Sequence, residues 1–521
     1  MALAPQDKSG SSQPIKRQAV VIVHGQGEQR PMGTIRDFVE VLWQENPELD
    51  TPGEAYPRPR PIWIVPDDKS GLYELQRITT PEHNGRRSDF FELYYADLLN
   101  ATPLRNLWRW MRRLLWIDPA YVPKHMRWPW AVFWMLTVVS IICALAAILA
   151  LPKLLAMDWY DHFTSVDAQR GHIISLVALG LILAPKFIRW LAFLKRIPSQ
   201  ILVFGIAVGV LDSFGWNGHV VNLMVLGWLA HLADTLLLPY FGDAASYLSA
   251  QTETVQSRQG VRNRGLALLK ALHEDPEYDR VIVIAHSLGS VLAYDLLHIL
   301  WREVGPTKDN PPDHEAQAAL AAVDAFSARA PADLWTTEDV AQYQRLQWAA
   351  FEALRQQKGM LGAKSGWKVS DLITLGTPLS SAEFLITDGR ADFSRMKQER
   401  VLPTAPPQPY DEDNGALHPS GPRGEVAHHA AVFSTVRWTN LFDRFDSPLF
   451  FLGDAISGPV SGAERFGPGI RDVDVPIVWG RLGWRLFTHN LYWVDTAAEG
   501  DPPASHIVAF REAVGLERSG A

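Results

Sequence analysis

The chain has 521 residues, of which 47% are hydrophobic, so it is long enough to bury a large core in one or two domains. Its formal net charge of −8 gives no general affinity for nucleic acid, and we expect no nucleic-acid partner. Its one cysteine, Cys143, excludes an intrachain disulfide. No histidine, cysteine and aspartate spacing in the sequence predicts a metal site, and we expect no cofactor.

The N-terminal part is predicted to begin with a disordered segment, residues 1–17, which is polar and lacks the apolar stretch of a secretory signal. Residues 18–100 then alternate between strand-like and helix-like patterns. The first strand candidate is QAVVIVHG at 18–25. This alternation predicts the first part of an α/β domain.

Membrane-like segments follow. Residues 129–151 contain no charged side chain and match the roughly 20 apolar residues that cross a bilayer as a helix. Residues 172–194 are largely apolar and end in basic residues, as a helix leaving a membrane often does. Residues 201–240 are apolar but interrupted by DSFGWNG, so two short spans, a re-entrant hairpin and buried core helices all fit.

The stretch before these segments, residues 103–118, has leucines and tryptophans on one helical side and arginines on the other. Such a helix is typical of a bilayer interface, although a solvated helix packed on the soluble domain also fits. The distribution of lysine and arginine places the flanking chain in the cytoplasm if the crossings are even in number. We therefore predict a helical insertion over 101–250 in a multi-pass membrane protein, with membrane lipids as partners.

The α/β pattern resumes over 251–517 and predicts the second part of the same domain. Residues 303–315 and 402–425 are rich in proline, aspartate and glycine and predict surface loops or disordered insertions. The fold class is thus a doubly wound, mostly parallel sheet, interrupted by the helical insertion. Its later strand candidates are 281–286, 371–376, 435–442 and 473–479.

The segment VIVIAHSLGSVLAYDLL at 281–297 places Ser287 between a β-branched run and a helical pattern. A strand that passes directly into a helix makes a sharp turn, which needs small residues two positions before and after its tip. Here these residues are Ala285 and Gly289, which gives A-x-S-x-G in place of the usual G-x-S-x-G. The alternative is a hydroxyl that only helps the turn, but the strand-to-helix setting favours Ser287 as a nucleophile.

A serine nucleophile needs a base to take its proton and an acid to hold that base, and in this type of sheet the order is serine, acid, histidine. Asp446, in the turn-forming FDSP, is the predicted acid, and Asp443 is the alternative. His489, in RLFTHNLYW, is the predicted base, with a packing histidine among aromatic residues as the other interpretation. His286 adjoins Ser287 but is expected to point elsewhere.

Acyl transfer also needs hydrogen-bond donors for the developing oxyanion. One predicted donor is the backbone N–H of Leu288, at the start of the helix. The other is the N–H of Gln26, in VIVHGQGEQRP, where Gly25 lets the chain turn. A dinucleotide-binding fingerprint is discounted because Arg30 stands where its third glycine is needed.

Together these segments resemble the α/β-hydrolase superfamily of lipases and esterases. The residues that carry the resemblance are VVIVHGQGEQ, VIVIAHSLGSVLAYDLL, LITLGTPL, RWTNLFDRFDSPL and THNLYW. HGQGEQRP also resembles a group of uncharacterised bacterial hydrolases that open with H-G-x-G-E-Q. The apolar segments and the distribution of lysine and arginine predict an inner-membrane location, in a bacterium, with the hydrolase domain facing the cytoplasm. The resemblance implies Ser287, Asp446 and His489 as the triad and Gln26 with Leu288 as the oxyanion donors.

The function predicted from these features is a membrane-anchored serine hydrolase that cleaves carboxylic esters, with a lipid or another acyl ester as substrate. The alternative is a membrane scaffold or sensor that keeps a hydrolase fold without turnover, which Ala285 and the proline-rich insertions motivate. A transporter is disfavoured because the spans are too few and none carries a paired intramembrane charge.

Overall fold

The structure is a computed structural model. It describes residues 14–25, 31–50, 58–99, 255–306, 311–329, 334–357, 366–409, 417–419, 425–445, 453–454, 456–480, 483, 485, 488–498 and 500–517, with a few isolated positions between 116 and 247.

The described residues form two sheets, one large and one small. The strands of the large sheet are β1 (Arg17–Val23), β2 (Trp63–Pro66), β3 (Gln76–Thr79), β4 (Arg87–Leu93), β5 (Arg280–His286), β6 (Val369–Leu375), β9 (Arg437–Phe442) and β10 (Arg471–Asp474). The small sheet pairs β7 (Leu417–Pro419) with β8 (Glu425–Ala427) antiparallel.

The large sheet has the strand order β10-β9-β6-β5-β1-β4-β3-β2. All neighbours from β10 to β4 pair in parallel, and only β3 runs antiparallel to the strands on both of its sides. Because parallel strands end at the same edge, the residues that follow β1, β5, β6 and β9 lie along one rim of the sheet. Ser287 and Gly376 follow β5 and β6 directly, and Gly25 follows β1 after His24.

The two central strands are apolar on both faces, as strands covered by helices on both sides usually are. Val21 and Val283 belong to the core on one face, and Ile22 and Ile284 belong to the core on the other. The described helices that flank the sheet are α1 (Gly33–Val39), α2 (Val255–Glu274), α3 (Leu288–Val304), α4 (His314–Ser327), α5 (Thr337–Gln356), α6 (Ala382–Leu385), α7 (Arg390–Gln398) and α8 (Ser505–Val514).

The helices divide between the two faces. Helices α2 to α5 contribute to the larger core, whereas α1 and α8 contribute to the smaller one. Helix α1 continues into a single π-helical turn, Glu40–Gln44. The α5 helix begins at a capping box, in which the Thr336 hydroxyl accepts the N–H of Asp339 and the carboxylate of Asp339 accepts the N–H of Thr336.

This architecture confirms the predicted α/β class and the mostly parallel sheet. The strand candidates 281–286 and 435–442 match β5 and β9 closely, whereas β10 ends at Asp474, well before the predicted 479. The loop predicted at 303–315 begins inside α3 and ends inside α4. The predicted loop 402–425 includes β7 and the first residue of β8, so part of it is regular structure.

By internal contacts the chain separates into two compact units: residues 1–127 with 241–521, and residues 128–240. The first unit carries both sheets, and the second lies almost wholly outside the described residues. The predicted spans 129–151, 172–194 and 201–240 and the predicted interfacial helix 103–118 likewise fall almost entirely outside the described residues. Among the helices that the structure describes, none is long and apolar enough to span a bilayer.

Candidate active site

The turn between β5 and α3 holds Ser287 in a strained backbone conformation. Its φ is 51° and its ψ is −128°, a combination that favours glycine and that other residues rarely adopt. The N–H of Ser287 donates to the carbonyl of Leu375 on β6 at 3.0 Å, which ties the turn to the neighbouring strand. The strand-to-helix turn predicted for this serine is therefore present.

Two glycines allow the chain to pack closely around this turn. A Cβ atom at Gly289 would lie 2.2 Å from the carbonyl oxygen of His24, so α3 can begin against the end of β1 only without a side chain there. A Cβ atom at Gly25 would lie 3.0 Å from Cβ of Ser287. Ala285, by contrast, lies inside β5 opposite Val23 of β1, where its methyl group is buried in the core.

Ser287 and His489 are in direct contact. Nε2 of His489 lies 2.9 Å from Oγ of Ser287, within hydrogen-bond distance. His489 belongs to a single 3₁₀ turn, Thr488–Asn490, which the N–H of Leu491 closes by donating to the Thr488 carbonyl at 2.9 Å. The nucleophile and the base predicted from the sequence are thus brought together by the fold.

The carboxylate that faces His489 belongs to Asp454. Its Oδ2 atom lies 2.8 Å from Nδ1 of His489 and also accepts the Tyr492 hydroxyl at 2.9 Å. Its Oδ1 atom accepts the N–H of Ile456 at 2.9 Å. Burial opposes ionisation of this carboxyl, but His489 and the two further donors outweigh it, so the pKa of Asp454 is lowered below its ordinary value.

This contact corrects the predicted acid. Asp443, the alternative candidate, does not face His489: its carboxylate bonds to Arg485 and accepts the Thr488 hydroxyl at 2.6 Å. Asp446, the preferred candidate, lies outside the described residues, and the position at Nδ1 of His489 is held by Asp454. Burial, only partly offset by Thr488 and Arg485, raises the pKa of Asp443 to about 6.

Gly376, the glycine of LGTPL, lies directly against this histidine and aspartate. Its φ is +58°, in the left-handed region. A Cβ atom there would lie 2.8 Å from the Tyr492 ring, 3.0 Å from Oδ2 of Asp454 and 3.2 Å from Nδ1 of His489. The end of β6 therefore leaves room for the contact between Asp454 and His489 only because position 376 has no side chain.

The other histidines near the serine have different partners. His24 is buried; its Nε2 atom accepts the N–H of Tyr95 at 3.4 Å, so Nδ1 carries the proton and donates to the Gly25 carbonyl at 2.7 Å. Burial lowers the pKa of His24 to about 4. Nε2 of His286 lies 2.8 Å from the carbonyl oxygen of His489, away from the serine hydroxyl, as expected.

Only one of the two predicted oxyanion donors falls within the described residues. Leu288 is the first residue of α3, and the N–H groups of a helix's first turn have no partner within the helix. The N–H of Leu288 therefore lies directly after Ser287 in the chain and is not used within the helix, as the predicted oxyanion donor requires. Gln26 lies outside the described residues, but Gly25, which precedes it, packs against Ser287.

No family model matches this chain, and neither does any curated protein or solved structure.

The missed residue, Asp454, comes 12 residues after the end of β9, in LGDAIS. Gly453 before it has a φ of +95°, and its N–H donates to the carbonyl of Arg485 at 2.7 Å. A glycine followed by an aspartate is a turn signal that can be read from the sequence. In the structure, Oδ1 of Asp454 accepts the N–H of the residue two positions later, as such turns do. Asp454 also keeps the order serine, acid, histidine, although it lies farther from the end of β9 than Asp443 and Asp446 do.

The chemistry open to this arrangement is proton transfer from a serine hydroxyl. A carboxylate with a lowered pKa holds one imidazole nitrogen, and the other nitrogen contacts the hydroxyl, as a general base must. Within the described part of the chain, no three histidine, cysteine, aspartate or glutamate side chains converge as ligands for a metal ion.

Proposed function

We propose that this protein is a serine hydrolase of the α/β-hydrolase type that cleaves carboxylic esters through an acyl-enzyme. The observation that carries the proposal is the unbroken line of contacts from Oγ of Ser287 to Nε2 of His489 at 2.9 Å and from Nδ1 of His489 to Oδ2 of Asp454 at 2.8 Å. The strained turn beneath Ser287 supports the same function, because strain of this kind is concentrated at reactive sites.

In the proposed first half-reaction, Oγ of Ser287 attacks the ester carbonyl carbon while Nε2 of His489 takes the hydroxyl proton. The carbonyl oxygen becomes an oxyanion, to which the N–H groups of Leu288 and Gln26 donate. The ionised Asp454 accepts the Nδ1–H of His489 and stabilises the imidazolium. The alkoxide then leaves with the proton from His489, and the acyl group remains bonded to Ser287.

In the second half-reaction, His489 takes a proton from a water molecule, and the resulting hydroxide attacks the acyl carbon. The bond between that carbon and Oγ breaks, the proton on His489 passes to Oγ, and a carboxylic acid is released. Each proton is returned, so the cycle needs no cofactor.

The sequence supports a lipid ester as substrate. Residues 129–151 have the length and the lack of charge of a membrane span, and 103–118 have the pattern of an interfacial helix. A hydrolase held at a bilayer could take an acyl chain from it directly. We therefore propose that the enzyme is membrane-anchored and that its lipid substrate and membrane lipids are its partners, with the hydrolase domain in the cytoplasm.

Labelling with a fluorophosphonate probe tests the nucleophile. Full-length protein in detergent is compared with S287A and with S290A. Ser290 is the matched control because it is buried in the first turn of α3 and donates to the Ala285 carbonyl at 3.0 Å, away from His489. We expect wild type and S290A to be labelled and S287A to remain unlabelled. Equal labelling of wild type and S287A would overturn the proposal.

Turnover of acyl esters that differ in chain length and headgroup tests the substrate class, with S287A as the blank. Activity that rises with acyl length and with presentation in phospholipid vesicles supports a lipid substrate. Activity confined to short soluble esters would remove the lipid from the proposal and leave the hydrolase. Membrane fractionation of cells that express the chain tests the anchor. If the protein is membrane-anchored, we expect it to stay in the membrane fraction after an alkaline wash.

A further inference from the structure

The base of the proposed triad lies on a short turn, so its position depends on what holds that turn. Sites built on helices and strands are held more accurately than sites on isolated turns. The backbone of His489 is held by the residue next to the nucleophile. The carbonyl oxygen of His489 lies 2.8 Å from Nε2 of His286, the last residue of β5.

The direction of this hydrogen bond is fixed by its chemistry. A carbonyl oxygen only accepts, so Nε2 of His286 carries the proton and donates it. Burial, with His489 beside it, lowers the pKa of His286 to about 3, so the ring is neutral in ordinary buffers. Because this nitrogen is committed to the carbonyl, His286 is not placed to take a proton from Ser287.

Close packing holds the His286 ring in place. The ring lies edge-on to Trp493, with centroids 4.7 Å apart, and a Cβ atom at Gly25 would lie 2.8 Å from its Nδ1. Trp493 in turn stacks on Phe38 of α1 at 4.9 Å. The imidazole is therefore fixed by the loop after β1 and by the aromatic residues that follow the base.

Two hydrogen bonds thus join His489 to the consecutive residues His286 and Ser287. The side chain of His489 contacts Ser287, and the backbone of His489 accepts from His286. We propose that His286 is a positioning residue that sets the separation between base and nucleophile by donating to the backbone of His489. This role rests on the proposed function, because it matters for catalysis only if His489 activates Ser287.

The test compares two side chains of similar length and volume in the full-length protein in detergent. H286Q places an N–H donor near the position of Nε2, whereas H286M fills similar space without a donor. With p-nitrophenyl acetate, we expect H286M to lower kcat about 10²-fold with KM within about threefold of wild type, as a misplaced base would. We expect H286Q to restore kcat to within about threefold of wild type.

Hydrogen exchange gives a readout that does not depend on activity. Measured by mass spectrometry over residues 488–494, exchange should be about tenfold faster in H286M than in wild type and near wild type in H286Q. A wild-type kcat in H286M, or equal losses in both variants, would overturn the positioning role. If wild type shows no turnover that depends on Ser287, the proposed hydrolase fails, and the exchange rates still decide whether His286 holds the turn.

Discussion

The hydroxyl of Thr488 donates to Oδ2 of Asp443 at 2.6 Å. Asp443 does not contact His489 itself, but it holds Thr488, the residue directly before that histidine. The backbone carbonyl of Asp443 also accepts the N–H of Asp454 at 3.1 Å. Asp443 therefore connects the segment that carries the proposed base to the segment that carries the proposed acid. The two aspartates thus make different contacts: Asp454 with the ring of His489, and Asp443 with the residue before it.

The first prediction separates the roles of these two aspartates. D454N should lower kcat about 10⁴-fold, because an amide at this position fails to hold the histidine tautomer that the reaction needs. D443N should cost less, about tenfold, since its side chain acts only through Thr488 and Arg485. Steady-state kinetics on p-nitrophenyl acetate measures both. A D443N enzyme more damaged than D454N would assign the acid to Asp443.

The second prediction concerns pH and stability. Folded Asp443 keeps its proton up to about pH 6, whereas an aspartate in the unfolded chain loses it near pH 4. At Asp443 the folded state thus binds more protons between these values, so the stability that this group contributes falls as pH rises from 4 to 6 and then levels off. The buried histidines His24 and His286, whose pKa is lowered, give the opposite slope in both proteins, so the effect of Asp443 is read as a difference. The melting temperature of wild type minus that of D443N should fall from pH 4 to 6 and stay constant from pH 6 to 8. Parallel curves would contradict it.

The third prediction concerns the glycine beside Asp454 and His489. G376A combines left-handed strain with contacts of 2.8 Å to Tyr492 and 3.0 Å to Asp454, so we expect a kcat at least about 10²-fold lower. The matched control is G71A, whose φ of +71° carries similar strain but whose Cβ would meet nothing within 4 Å. It should lose about 1 kcal/mol of stability and keep its kcat. Equal kinetics in the two variants would show that the close approach has no effect.

The fourth prediction concerns the unusual alanine of the turn. A285G restores the common G-x-S-x-G spacing, but glycine inside β5 loses a buried methyl group and gains backbone freedom. We expect about 1 kcal/mol lower stability and no gain in kcat. G289A, in contrast, would place Cβ 2.2 Å from the His24 carbonyl oxygen and should prevent normal folding of the turn. Thermal melting and kcat together check both, and a more active A285G would show that the alanine limits the site.

The sequence was most informative where one local pattern decides the structure. The β-branched run of β5 followed at once by the spacing of α3 predicts the turn at Ser287, and the order serine, acid, histidine, with a loop after the last strand candidate, predicts His489. The sheet's central strands were recognisable because they are apolar on both faces. The sequence pattern predicts none of β2, β3 and β4. Strand β2 lies at the sheet edge with Trp63 and Ile64 exposed and gives no buried pattern. Strand β4 buries polar side chains among its apolar ones, which conceals its apolar character.

The sequence does not indicate Asp454 as the acid, for a different reason. Asp443, Asp446 and Asp454 all follow β9, and the first two stand closer to the strand end. Which of them reaches His489 depends on the path of the loop, here on the left-handed Gly453 and on the bond from Asp454 N–H to the Asp443 carbonyl. Such long-range backbone bonds leave no periodic signal in the sequence. The contact between His286 and the backbone of His489 is hidden in the same way.

The positive φ of Ser287 has a consequence for how this protein tolerates change. Glycine would adopt that backbone angle at little cost, whereas every other residue there, serine included, gives up about 1–3 kcal/mol of folding free energy. S287G should therefore melt at a higher temperature than S287A, although neither has a nucleophile. The nucleophile proposed at this position is therefore held at a cost in folding free energy that glycine would remove.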